Sequence, residues 1–361
     1  MGLVNNMQIF FIIMFSLVSL SFISMPGDAV KAAGTGAWFA ICIVAILFSF
    51  GVFIIASLSK MFEGKTIHEY SILLVGKFMA KIIGFIYTIY FVFLSIILFT
   101  QSVNFIKQTS LPLTPIWTIL LIFIVVTFYT VYKGLTTIGR LFGIYGFLFV
   151  FIPLATHIGE FLVGDIDYIK PFFEPKLVKE YVLGAKDLIP AFIGIEILTI
   201  IPFGQNNLKR GVLFSMISVL YVGVYYAFAA ETSVMILGIN QIVLYKASLV
   251  EALRETKLPE VFFIVRFDIA FLIIGTICLS SGLMTTSFAA VENTVKLFSR
   301  IKRNFLLVVV GIIIYISCLF LDNSQPVTYL FLKILPIGGI ITGFIIPILL
   351  FIVAKVKKYE S

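Results

Sequence analysis

Charge is what this sequence has least of. Only 12% of its 361 residues are Asp, Glu, Lys or Arg, roughly half the share usual in a water-soluble domain. A single soluble domain of this length has no interior large enough for the 61% that is apolar. Histidine is scarcer still. His68 and His157 are the two in the chain, neither has metal-ligand spacing, and no metal site is expected. The three cysteines, Cys42, Cys278 and Cys318, each sit in an apolar run with no Cys-x-x-Cys spacing, so they imply neither a disulfide framework nor a metal. Lacking a histidine-rich cluster and paired catalytic carboxylates, the chain offers no convergent nucleophile and base. It is not expected to be an enzyme or to carry a cofactor.

What the chain has is apolar length. A mean hydropathy of +1.13, spread from end to end, describes an all-α polytopic membrane protein rather than an anchored soluble domain. A transmembrane helix takes about 20 apolar residues. Ten transmembrane helices are predicted, at 7–30, 37–59, 79–106, 115–132, 140–163, 187–205, 211–238, 262–292, 304–321 and 333–354. The first run lacks a basic flank and an Ala-x-Ala site, and is read as a true span rather than a signal peptide. The net charge of +8 is explained by basic residues sorted to inner loops, not by nucleic-acid binding. With the N-terminus inside, 15 of the 26 lysines and arginines fall in inner segments, whereas the short outer loops carry only Lys31, Lys107 and Lys333. Both termini are therefore expected in the cytoplasm.

Two further patterns concern packing. Leu244–Thr256 has apolar residues at helical spacing with charges between them, which predicts a short amphipathic helix lying on the outer face. Gly139-x-x-x-Gly143 and Gly339-x-x-x-Gly343 are small-residue pairs that let helices approach closely. Glu160, Glu231 and Glu292 are placed near span ends and read as solvated, and His157 as alone on an apolar helix.

Spans 1 and 6 are interrupted. Span 1 contains Ser21, Ser24, Met25, Pro26 and Gly27: the proline removes a backbone donor and the serines can satisfy freed backbone groups. Span 6 contains Pro190, then Gly194, Ile195 and Glu196, then Pro202. Paired interruptions in the first spans of two five-helix halves point to a binding site at the bilayer midplane. Glu196, about ten residues into its span, costs at least about 2.5 to 3.5 kcal/mol to insert. It is open to three roles: counter-ion to a ligand amine, protonatable coupling site, or salt-bridge partner of a basic residue such as Arg266. Gln101 and Ser102 in span 3 and Ser280 in span 8 are further candidates for a lining. Asp28, Arg140, Arg266 and Asp268 are candidates for gating or for tying helices together.

Leu111-Pro112-Leu113-Thr114-Pro115, Lys133-Gly134-Leu135 with Ile138-Gly139-Arg140, Phe192-Ile193-Gly194-Ile195-Glu196 with Pro202, and Arg266-Phe267-Asp268 follow one another in a characteristic order, and Glu69-Tyr70 with Gly76-Lys77 fits the same pattern. In these residues the chain resembles the B-subunit family of bacterial spore germination receptors, within the amino acid/polyamine/organocation transporter superfamily. The resemblance implies one transmembrane domain with an inverted 5+5 repeat, the first about 7–163 and the second about 187–321, the final helix pairing within 304–354. It implies a place in the inner membrane of the endospore, a small germinant as ligand, often an amino acid, and A and C partner subunits. A proton-coupled amino acid permease using the same site is the alternative. The sequence departs from the family where a glycine-rich break is usual in span 1 and where Ala37-Trp38 lacks a preceding acidic residue.

Overall fold

The computed structural model describes residues 4–256, 267–322 and 325–359, with the side chains of 267–271, 322 and 325–332 not among those described. It is all helical over these residues. The first predicted span is two helices, α1 (Asn6–Ser21) and α2 (Met25–Ala33), separated at residues 22–24. α1 starts on a reciprocal cap: Gln8 N–H donates to Asn5 Oδ1 at 2.8 Å and Asn5 N–H to Gln8 Oε1 at 2.9 Å. Pro26 stands in the first turn of α2, where its missing N–H costs nothing.

α3 (Ala37–Met61) and α4 (Ile67–Thr109) follow. α4 begins about a dozen residues before the predicted span and is interrupted at Gly76, so its first turns form a separate arm capped by Glu69, which accepts from Thr66 N–H at 2.8 Å. α5 (Ile116–Lys133) and α6 (Leu135–Val163) are joined by one residue, Gly134, whose φ of 88° is open to glycine at little cost and lets the chain reverse without a loop.

After a segment containing α7 (Val178–Ala185), the sixth predicted span is not an α-helix at all. It consists of two 3-10 stretches, Lys186–Phe192 and Ile195–Ile200, with Ile193 extended and Gly194 at φ 130° between them. α8 (Gly211–Leu237) comes next, followed by the single turn α9 (Ile239–Ile242) and by α10 (Ser248–Glu255), the amphipathic helix the pattern predicts. α11 (Phe267–Leu297), α12 (Arg303–Asp322), α13 (Gln325–Ile340) and α14 (Ile346–Val356) complete the chain, the last two joined by a π-helical turn at Ile341–Ile345.

Eight stretches among the described residues are long and apolar enough to cross a membrane, and α1 is a shorter apolar helix. Large apolar side chains face outward along them: Phe78, Ile144 and Phe320 are 76%, 73% and 74% exposed. Such a belt is stable against lipid and not against water. α1 lies at the centre, packed against α6, α8 and α11. Phe15 sits edge-on to Phe142 and Phe149, with ring centroids 5.0 and 5.1 Å away. Of the first glycine pair only Gly139 makes a close approach, since a Cβ there would stand 3.1 Å from Val4, whereas one at Gly143 would meet nothing within 4 Å.

Basic residues gather where α1 begins. On this face Lys296 pairs with Glu69, Arg303 pairs with Glu292 at 2.9 Å and donates to Val131 O, and Lys357 donates to Leu74 O. Glu292, expected in solvent, is 7% exposed because Arg303 covers it.

Candidate functional site

The two interruptions stand side by side. In the second, Gly194 crosses α1 so closely that a Cβ would lie 2.6 Å from Ser16 O, and its φ of 130° is strained for any other residue. Both constraints demand glycine. The carboxylate of Glu196 folds back over this turn and accepts from Gly194 N–H at 3.1 Å through Oε2, while Oε1 accepts from the Tyr90 hydroxyl of α4. Glu196 is fully buried and Tyr90 nearly so. Gly339 and Gly343 press on Ile193 and Ile195 from the other side. Of the three roles open to Glu196, the geometry displays the tying one, with a tyrosine and a backbone amide in place of a basic residue. Arg266 lies outside the described residues, as does the side chain of Asp268.

The break in span 1 is held by α10. Ser248 Oγ accepts from Gly27 N–H at 2.9 Å and donates to Ser24 O at 3.3 Å, and Leu249 N–H donates to Ile23 O at 3.2 Å. Backbone groups freed by the break are thus satisfied by a helix 221 residues later in the chain. Gly27 is glycine because Ile242 O and Ser248 would each lie within about 3.1 Å of a Cβ.

Between the breaks and the face opposite the basic one is a cavity of about 270 Å³, lined by Ser21, Met25, Asp28, Lys31, Asp187 and Pro190 among others. Two carboxylates and one ammonium therefore share one small space. Ser21, Met25 and Asp28 were singled out from the sequence; Lys31 and Asp187 were not, since each reads as a loop charge until α2 and the 186–192 turn are brought together. Ser24, Pro26, Gly27, Gln101, Ser102, Gly194, Ile195, Glu196 and Ser280 are not part of this lining. Ser102 Oγ is buried with no hydrogen-bond partner among the described residues, and Ser280 Oγ donates to Thr276 O at 2.7 Å in its own helix. Arg140 is on the opposite, basic face, in a second cavity.

A polar cluster that the sequence reading missed lies between α6 and α8. His157 Nδ1 is 2.7 Å from Glu160 Oε2, and Thr232 Oγ1 donates to the same oxygen at 2.7 Å. All three are buried, so the expectations of a solvated Glu160 and a solitary His157 are both corrected. The i, i+3 spacing places the pair on one helix face and was readable.

A model of the spore germination protein family matches residues 3–326.

The chain belongs to the spore germination protein family.

Three curated relatives from Bacillus subtilis (strain 168) agree. Spore germination protein YndE is 24% identical over 324 residues, covering 89% of this chain and 87% of the relative. Spore germination protein A2 is 20% identical over 363 residues, covering 98% and 96%. Spore germination protein B2 is 24% identical over 206 residues, covering 55% and 54%. Among solved structures, that of MhsT in complex with L-phenylalanine aligns with a TM-score of 0.66 at 16% identity, covering 94% of this chain and 89% of that one. This spore germination protein is thus a membrane protein with a transporter-like fold.

Proposed function

We propose that this spore germination protein is a sensor that binds a small zwitterionic germinant, an amino acid in the first instance, in the cavity over the two interrupted spans. The observation that carries the reading is the lining: the carboxylates of Asp28 and Asp187 suit an ammonium group, and Lys31 suits a carboxylate, in one space of about 270 Å³. That volume is below the roughly 300 to 1,000 Å³ of sites for drug-sized ligands, which favours a small solute. MhsT, with a similar fold, is described in complex with L-phenylalanine.

We read the architecture as ten spans in two inverted halves, 7–163 and 187–321, with the final helix pairing within 304–354. In this reading the basic face and both termini are cytoplasmic, on the spore-core side of the inner membrane. Binding shifts the balance between transporter-like states, which a ligand does only by preferring one of them, and A- and C-type partner subunits receive the change. Glu196 acts in this scheme as a positioning residue that holds the unwound turn, and the protein performs no catalysis.

Equilibrium binding of a labelled amino-acid panel to the purified protein in lipid nanodiscs tests this. At least one amino acid is expected to bind, with Asp187→Asn and Lys31→Gln each weakening it about tenfold or more, equivalent to about 1.4 kcal/mol. Absence of binding by every member of the panel sinks the proposal. Concentrative, pH-dependent uptake into proteoliposomes by the protein alone would replace the sensor with a proton-coupled permease.

A further inference from the structure

The basic face carries a second cavity, of about 240 Å³, enclosed by the first turn of α1, the start of α6 and the turn at 204–207. Arg140, Thr136, Asn5, Gln8 and Asn207 contribute to its walls. The walls are held by tight packing, because Gly139 lets α6 approach Val4 and Gln8 with no side chain between them.

The hydrogen bonds around the cavity consume the side-chain oxygens of Asn5, Gln8 and Asn207. Gln8 Oε1 takes the Asn5 N–H at 2.9 Å, Asn5 Oδ1 takes the Gln8 N–H at 2.8 Å, and Asn207 Oδ1 takes the Gly204 N–H at 3.1 Å. These backbone bonds fix which end of each amide is oxygen. Asn207 Nδ2 in turn donates to Asn6 Oδ1 at 2.9 Å. What remains for an occupant includes the NH2 of Asn5, the NH2 of Gln8, the Thr136 hydroxyl, the Asn206 side-chain amide and the guanidinium of Arg140. No carboxylate lines the cavity, and the nearest charges along the chain, Lys133, Lys209 and Arg210, are all positive.

We propose that this cavity binds a phosphoryl group, supplied either by the head group of an anionic lipid in the adjoining leaflet or by free phosphate. The planar fork of an arginine matches phosphate oxygens in two places at once, and basic pockets between spans on this type of face hold lipid head groups. An occupant bridges α1, α6 and the 204–207 turn, so it stabilises the packed form of this face by mass action, more as its concentration exceeds its Kd.

The test is the thermal unfolding midpoint of the purified full chain in neutral detergent at constant ionic strength. The probes are inorganic phosphate against chloride, and short-chain phosphatidylglycerol against phosphatidylcholine. The expected result is a midpoint that rises with phosphate, with phosphatidylglycerol or with both, and with neither control. The rise is lost in Arg140→Gln, reduced in Arg140→Lys, and kept in Arg300→Gln, an exposed basic residue outside the cavity. A response to phosphatidylglycerol alone assigns the site to lipid, and any response to phosphate assigns it to the free anion. No rise with either probe, or a rise that persists in Arg140→Gln, overturns the proposal. Arg140 is exposed, and the ligand-free midpoint of each variant checks that it folds; should Arg140→Gln fail to fold, an undiminished rise in Arg140→Lys overturns the proposal and a reduced one supports it. Amino-acid binding on the opposite face is measured separately and does not enter this outcome.

Discussion

Replacing Tyr90 with phenylalanine removes one oxygen and little else. The ring keeps its edge-on contact with Phe91, 5.4 Å between centroids, and its packing on Gly338. What disappears is the hydroxyl that donates to the buried Glu196 Oε1. Glu196 Oε1 then loses the tyrosine donor, while Oε2 keeps the Gly194 N–H. Leaving a buried acceptor unsatisfied costs about 1 to 3 kcal/mol, which lowers the folded-to-unfolded ratio by a factor of about 5 to about 150.

Tyr225→Phe provides the matched control. Its ring is also buried, yet its hydroxyl has no hydrogen-bond partner among the described residues. Removing that oxygen is expected to be neutral or mildly stabilising, because an unpaired polar atom leaves an apolar surrounding. The assay is reversible denaturant unfolding in mixed micelles, followed by far-UV circular dichroism, with both variants measured against the parent. Equal stability changes for the two variants would falsify the assignment of the Tyr90–Glu196 bond as a tie between α4 and the unwound turn.

Two other substitutions follow from the same geometry. Gly194→Ala introduces a Cβ 2.6 Å from Ser16 O at a φ of 130° and is expected to cost more than about 3 kcal/mol, whereas Gly143→Ala fills open space in a helix and should gain about 0.5 to 1 kcal/mol; the same unfolding measurement ranks them, and a tolerated Gly194→Ala refutes the close crossing. Thr232→Val deletes the hydroxyl that donates to Glu160 Oε2 at 2.7 Å and should destabilise by about 1 to 3 kcal/mol, an effect that disappears in a Glu160→Leu background if the two groups are coupled as described.

Much of the fold could be read from the chain, and for a local reason. The cost of placing a residue in lipid depends on that residue and its near neighbours, so apolar runs announce spans before any packing is known. Breaks are equally local: Pro26 and Gly194 act on their own backbone. The amphipathic α10 declared itself by its spacing, though its task of clamping residues 23–27 did not. Span 6 was correctly expected to be interrupted but was expected to be otherwise helical. Its 3-10 form depends on α1 and on Gly339 and Gly343 pressing against it, and those contacts are remote in sequence.

The meeting of polar groups was decided only by tertiary structure. A buried carboxylate in an apolar span must find a donor, and the sequence established that need for Glu196 while leaving its donor open; the chain supplies Tyr90, 106 residues away, and a backbone amide two residues back. Thr232 reaches Glu160 across 72 residues. Asp28, Lys31 and Asp187 become one mixed-charge lining only when α2 and the 186–192 turn share a cavity. Composition determines that such groups are few and costly to bury, and the crossing of helices determines which of them satisfy one another and which are left lining a cavity.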